Sequence, residues 1–156
     1  MIELSYNLSG SWNAKAQNID WASADETTLR YRVFLGDQIF VVNGADFSAK
    51  WGWIPLLDFA AGLVAITRGL AAGETELAFD FTESDAHLQF NRQGNNTLIT
   101  SSYNNATATV PTNELEQAAT SYAERVLRDA MSRYPALKAN RSLPGWYPTL
   151  ARINAE

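Results

Sequence analysis

An apolar helix that needs cover on almost every side constrains this chain more than any other feature. After Pro55, the residues Leu56, Phe59, Leu63, Ile66 and Leu70 recur at helical spacing. Leu57, Ala60, Ala61 and Val64 widen the stripe, so the helix must be nearly surrounded. Pro55 suits the first turn, where its missing N–H is no loss, and Gly73 suits the left-handed position past the last turn. Asp58 falls where a helix N-terminus stabilises negative charge, which is a sufficient structural role. The uncharged stretch Phe59 to Thr67 is far too short to span a membrane, so protein must supply the cover.

The remaining pattern is mostly β. Ile2, Leu4, Tyr6 and Leu8 alternate with polar residues, as a half-buried strand does. The block "LRYRVFLGDQIFVVNGADFSAKWGW" carries two hairpin signals, Gly36-Asp37 for a type II′ turn and Asn43-Gly44 for type I′. With two-residue loops, Val33 faces Phe40, Val42 faces Ala45 and Phe40 faces Phe47. One face then holds Leu29, Tyr31, Val33, Leu35, Phe40, Val42, Phe47, Ala49, Trp51 and Trp53. This register predicts both tryptophans of "WGW" in the core, and a loss of about 3–5 kcal/mol for Trp53→Ala. The opposite face holds Arg30, Arg32 and Lys50 beside Phe34, Ile39 and Val41, which reads as arginines lying over partly covered apolar surface.

A second meander follows the helix. The same two-residue rule pairs Phe81 with Ala86, Phe90 with Ile99 and Ile99 with Val110, around turns near Glu83-Ser84, Gly94-Asn95 and Asn104-Asn105. A second amphipathic helix begins near Asn113, with Asn113 and Glu116 spaced as a capping box and Leu115, Ala119, Tyr122, Val126 and Ala130 as its stripe. Pro135 stops it. The expected order is β-βββ-α-ββββ-α. That makes a single α+β domain over 1–156, with antiparallel meander sheets packed on one central helix and an irregular tail from about 135, anchored by Trp146 and Tyr147.

The chain has 156 residues, no cysteine and a formal charge of −5. Disulfides and cysteine-ligated zinc are therefore excluded, and an acidic chain is poorly suited to track a phosphate backbone. "MIELSYNLSG" has neither a basic n-region nor a continuous apolar run. The expectation is a cytoplasmic protein with no membrane partner, no nucleic-acid partner, no cofactor and no metal.

One row has the residue types of a charge-oriented nucleophile. The register places Asp80 opposite His87 and His87 opposite Ser102, on the face away from the core. His87 is the only histidine, but an open strand face offers no nucleophile elbow and no oxyanion hole. Ordinary solvated polar surface is the plainer account. Glu83, Asp85 and His87 are close in sequence, yet a single imidazole makes a weak metal set, and an acidic hairpin tip is the default.

The segment Trp51-Gly52-Trp53-Ile54-Pro55-Leu56-Leu57-Asp58-Phe59, with "FTESD" at 81–85 and "YPAL" at 134–137, resembles a group of short bacterial proteins. Members of such groups are often immunity proteins of contact-dependent and other polymorphic toxin systems. The resemblance covers roughly residues 30 to 140 and rests on core residues, so it brings no catalytic residues. It implies a small acidic cytosolic protein that blocks a cognate toxin C-terminal domain by binding it. An acidic inhibitor gains association rate against a basic, nuclease-type toxin. The expected contact residues are the tip Asp80, Glu83, Asp85 and His87. Next comes the polar 10–27 stretch with Trp12, Asp20, Trp21, Asp25 and Glu26, where a tryptophan can serve as an anchor. Two other readings stay open: a hydrolase using Asp80, His87 and Ser102, and a small-ligand binder with a pocket between sheet and first helix.

Overall fold

The computed structural model describes residues 1–14, 18–82 and 84–148. It is an α+β fold built around the apolar helix. In chain order the elements are β1 (Ile2–Leu8), α1 (Gly10–Asn13), α2 (Glu26–Tyr31), β2 (Leu35–Val42), β3 (Ala45–Asp46), β4 (Ala49–Pro55), α3 (Leu56–Ala71), β5 (Glu76–Asp80), β6 (His87–Gln93), β7 (Asn96–Ser101), β8 (Thr107–Pro111) and α4 (Thr112–Arg133). Two short 3-10 turns, Pro135–Ala139 and Leu143–Gly145, follow.

α3 starts and stops as its residues require. Pro55 is the N-cap. Gly73 takes φ +116°, its N–H donates to Leu70 O at 3.1 Å, and the Glu74 N–H donates to Gly69 O at 3.0 Å. That pair of bonds is the Schellman closure. Among the described residues no helix is long and apolar enough to cross a membrane. One apolar cluster takes in α3, α4 and the inner faces of both sheets. Phe59 sits at its centre, with ring centroids 5.0 Å from Phe79, 5.9 Å from Phe81 and 6.4 Å from Tyr122.

The two meanders are separate four-stranded sheets. In the first, β2 is central, antiparallel to β1 on one side and to β3 and β4 on the other. The second runs β5-β6-β7-β8 in sequence order. They meet at their ends: the Asn43 amide donates to Thr109 O at 3.1 Å, the Asn104 amide to Asp46 O at 3.0 Å, and the Tyr103 hydroxyl to Phe47 O. α4 packs its apolar face into the core and is tied to the first sheet by polar contacts. The Tyr122 hydroxyl donates to Gln38 Oε1 at 2.5 Å, Arg125 donates to Leu4 O, and the Tyr6 hydroxyl donates to Asp129.

Four local expectations need correction. Of the expected strand Leu29 to Leu35 only Leu35 is strand, as the first residue of β2: residues 29–31 close α2, because the Asp25 carboxylate caps the Thr28 N–H at 2.8 Å and Leu29 and Val33, four apart, both turn into the core. Gly36-Asp37 is consequently no turn. Gly36 lies inside β2 between Leu8 and Ile54, where a Cβ would sit 2.0 Å from Asn7 O, so only glycine fits. The Asn43-Gly44 hairpin does form, with Val42 opposite Ala45. In the second sheet Phe90 pairs with Ile99 as expected, but Ile99 pairs with Ala108 rather than Val110. The β7–β8 connection is longer than two residues, because Asn104 Oδ1 accepts the Ala106 N–H at 2.9 Å and holds a wider loop. The shift is two residues, so the apolar face is unchanged. Finally, α4 starts at Thr112 with Pro111 as N-cap and no side-chain cap bond, so Asn113 and Glu116 form no capping box.

The tail is anchored as its aromatics suggest. The buried Tyr147 donates to Ala123 O at 2.6 Å, and Asn140, also buried, donates to Trp21 O at 2.7 Å and Ala24 O at 2.8 Å.

Candidate functional site

The "WGW" segment is a bulge, and it turns aromatic surface outward. β2 and β4 keep register at Gly36–Ile54 and at Gln38–Ala49, so two steps along β2 span five along β4. The excess is taken up around Gly52, at φ +79°, a conformation that glycine adopts without strain. Asp37 holds the bulge, its Oδ1 accepting the Gly52 N–H at 2.9 Å. Trp51 and Trp53 stack on each other at 5.4 Å and 25°. Trp51 also meets Phe81 and Tyr103 edge-on, both at 5.3 Å, yet it stays 36% exposed. Trp53 is half-buried. Neither ring is core, so the expected Trp53→Ala loss of core size does not carry over. For Trp51→Ala we expect a loss of only about 1 kcal/mol in thermal unfolding, in keeping with a surface position.

Three other elements converge on Trp53. Trp12 comes from α1, which is pinned to the start of β2. The Asn13 amide donates to Ser9 O at 2.8 Å and Leu35 O at 2.7 Å, and its oxygen accepts the Leu35 N–H at 3.2 Å. Tyr31 and Arg32 come from the end of α2, and Thr82 from the β5–β6 turn. With Leu35 and Pro55 at the floor, these residues line a cleft of 260 Å³. Trp12 is 48% exposed and Tyr31 40%. Apart from Met1, the exposed large apolar side chains among the described residues are Trp12, Tyr31 and Trp51, and all belong to this one region.

Charge around the cleft is uneven. Arg30 is neutralised: its Nε and Nη2 both lie 2.8 Å from Asp58 Oδ1, and Glu26 lies 3.5 Å from Nη1. The same guanidinium lies over the rings of Trp146, at 5.1 Å, and Tyr31, at 5.8 Å. Burial raises the Asp58 carboxyl above its usual range, and Arg30 offsets this only in part. Arg32, by contrast, is exposed and makes no hydrogen bond or salt bridge among the described residues. It is the charged side chain lining the cleft there.

The sequence-derived candidates divide. Asp80 and Asp85 are exposed at the β5–β6 turn, next to Thr82, and His87 is half-buried at the start of β6. Glu83 lies outside the described residues. Asp20, Asp25 and Glu26 are exposed. Asp20 Oδ1 accepts the Ala22 N–H at 3.2 Å, and the Thr28 N–H bond holds the Asp25 carboxyl below its usual range. Trp21 is no surface anchor: it is 5% exposed and stacked on Tyr134 at 4.0 Å. The Asp80–His87–Ser102 row exists in the backbone register. The Ser102 hydroxyl, however, accepts the His87 backbone N–H at 2.9 Å, and the Ser102 N–H donates to His87 O at 3.0 Å. These bonds close the hairpin and do not engage the imidazole. Arg30 and Arg32 share no strand face with Lys50, because both belong to the α2 end. Among the described residues no group of three or more His, Asp or Glu side chains is placed to hold a metal ion.

Tyr31, Arg32 and Trp53 were not legible as site residues. The signals for them exist in the sequence: Asp25 as a helix cap, Leu29 and Val33 four apart, and a glycine inside a strand as a bulge marker. Compared with protein families, with curated proteins and with solved structures, the chain matches none.

Proposed function

We propose that this chain is a non-enzymatic protein-binding module, most concretely a cytoplasmic immunity protein that neutralises a cognate toxin C-terminal domain by direct contact. The observation that carries the reading is the gathering of Trp12, Tyr31 and Trp51 around one cleft, beside the exposed Asp80 and Asp85. Exposed aromatics concentrated in one place mark an interaction surface, and rigid aromatic side chains make effective interface anchors. The net charge of −5 suits a basic partner and speeds encounter with it.

The test is whether a large secreted protein is encoded immediately upstream and, if so, co-expression with its C-terminal domain. A stable complex of the two chains, and protection of cells from that domain, is the expected outcome. Trp12→Ala should weaken the complex roughly 30-fold, an anchor's worth of about 2 kcal/mol, in isothermal titration calorimetry. If the two chains fail to co-purify and cells are not protected, the reading is wrong.

A further inference from the structure

We propose that the cleft takes one aromatic side chain of the protein partner, with a carboxylate on the partner's adjoining residue paired to Arg32. This rests on the protein-binding reading and names what that surface selects. Rings from three separate elements, Trp12, Tyr31 and Trp53, line the cleft above Leu35 and Pro55. Their faces and edges suit an inserted ring, which prefers offset or edge-on contact. The volume of 260 Å³ lies below the roughly 300–1,000 Å³ of sites that enclose a drug-sized ligand. The aromatic surface also continues beyond the cleft through the Trp53–Trp51 stack, which a small molecule would leave uncovered. A protein side chain with flanking chain covers both.

Three rings around a pocket also suit a cation. Arg32 argues against one, because it brings a positive charge to the lining while Arg30 beside it is already matched by Asp58 and Glu26. The Arg32 guanidinium feels the nearby Asp25 carboxylate but makes no salt bridge or hydrogen bond to it, so at the rim of an apolar cleft its N–H groups can still pair with an anion attached to an apolar group. Arg32, the charged side chain among the described residues that line the cleft, disfavours partners that lack the matching acid and so supplies specificity more than affinity.

The experiment uses the isolated protein and capped dipeptides, followed through the tryptophan indole N–H resonances. N-acetyl-Phe-Asp-amide should shift Trp12 and Trp53 and leave the buried Trp21 unmoved. It should bind about fivefold more tightly than N-acetyl-Phe-Asn-amide, the ratio expected of an exposed ion pair. In Arg32→Gln, shown to be folded by an unmoved resonance of the buried Trp21, the two dipeptides should bind equally. In Trp12→Ala both should be lost. Equal binding of the two dipeptides to the parent overturns the proposal. So does preference for N-acetyl-Phe-Lys-amide or tetramethylammonium, or absence of shifts at about 10 mM, where even the weakest specific sites fill. A toxin complex that forms normally while the dipeptides fail would remove this inference alone. Dipeptide binding without any toxin complex would remove the functional reading and leave the cleft's chemistry standing.

Discussion

Phe59→Ala is expected to destabilise the protein by about 3–5 kcal/mol, the loss typical of a deeply buried aromatic. Phe59 is 1% exposed, and its ring touches Phe79 and Phe81 from the second sheet and Tyr122 from α4. Its removal therefore opens a cavity where three elements meet. The neighbouring backbone cannot close in easily. α3 is buried on nearly every side, and at Gly62, one turn on, even a Cβ would lie 2.7 Å from the Phe79 ring. Against a total of roughly 5–15 kcal/mol for a domain, this is a fifth or more of the stability. Urea unfolding should show a lower midpoint at unchanged slope. A loss below about 1 kcal/mol, like that expected for Trp51→Ala, would mean that α3 is not the centre of the fold.

The second large effect comes from the ion pair between α2 and α3. Arg30→Met should cost about 2–4 kcal/mol at neutral pH. That sits at the lower end of a broken buried pair, since Arg30 keeps 26% of its side chain in water while Asp58 keeps 9%. The loss arises because Asp58 is left charged and poorly solvated. Its sign with pH follows from the direction of the Asp58 shift. Burial raises the folded pKa above 3.8 even with Arg30 present. Asp58 thus contributes stability that is fully present below 3.8 and is lost as pH rises through the folded value. Removing Arg30 takes away what lowered that value and raises it further. The Arg30→Met deficit should therefore shrink as the pH falls from neutral toward 3.8 and Asp58 takes up its proton. Arg30→Met combined with Asp58→Leu should recover much of the loss, because no buried charge remains. A deficit of equal size at both pH values would assign the effect to lost packing over Trp146 and Tyr31.

Both effects concern elements that were legible to very different degrees. α3 and the β5–β6–β7 part of the second meander could be read almost to the residue, because their signals are local: a 3.6-residue stripe, a strict alternation, and turn residues at Gly94 and Asn95. α2 was misread because Leu29, Tyr31, Val33 and Leu35 alternate as a strand does, while Leu29 and Val33 alone also satisfy a helix turn. The tie was broken by the Asp25 cap. The cleft followed from that choice, since a helix ending at Tyr31 delivers Tyr31 and Arg32 to the surface beside Trp53. A strand would have kept Tyr31 on the apolar face.

Hydrophobic pattern alone required an apolar helix wrapped by antiparallel β-structure and a second amphipathic helix to close it. Hydrophobic periodicity carries that information, because which face is buried depends on residues a few positions apart. Only the tertiary structure decided where the aromatic surplus would go. The β2–β4 register slips by three residues between Gly36 and Gln38, the slack collects at Gly52, and Trp51 is pushed outward over Phe81. Such a slip is set by long-range pairing and by one carboxylate, Asp37, reaching across strands to an amide. No window of neighbouring residues contains both partners, so the outward-facing cleft beside Trp53 exists only once the sheets have closed on the helix.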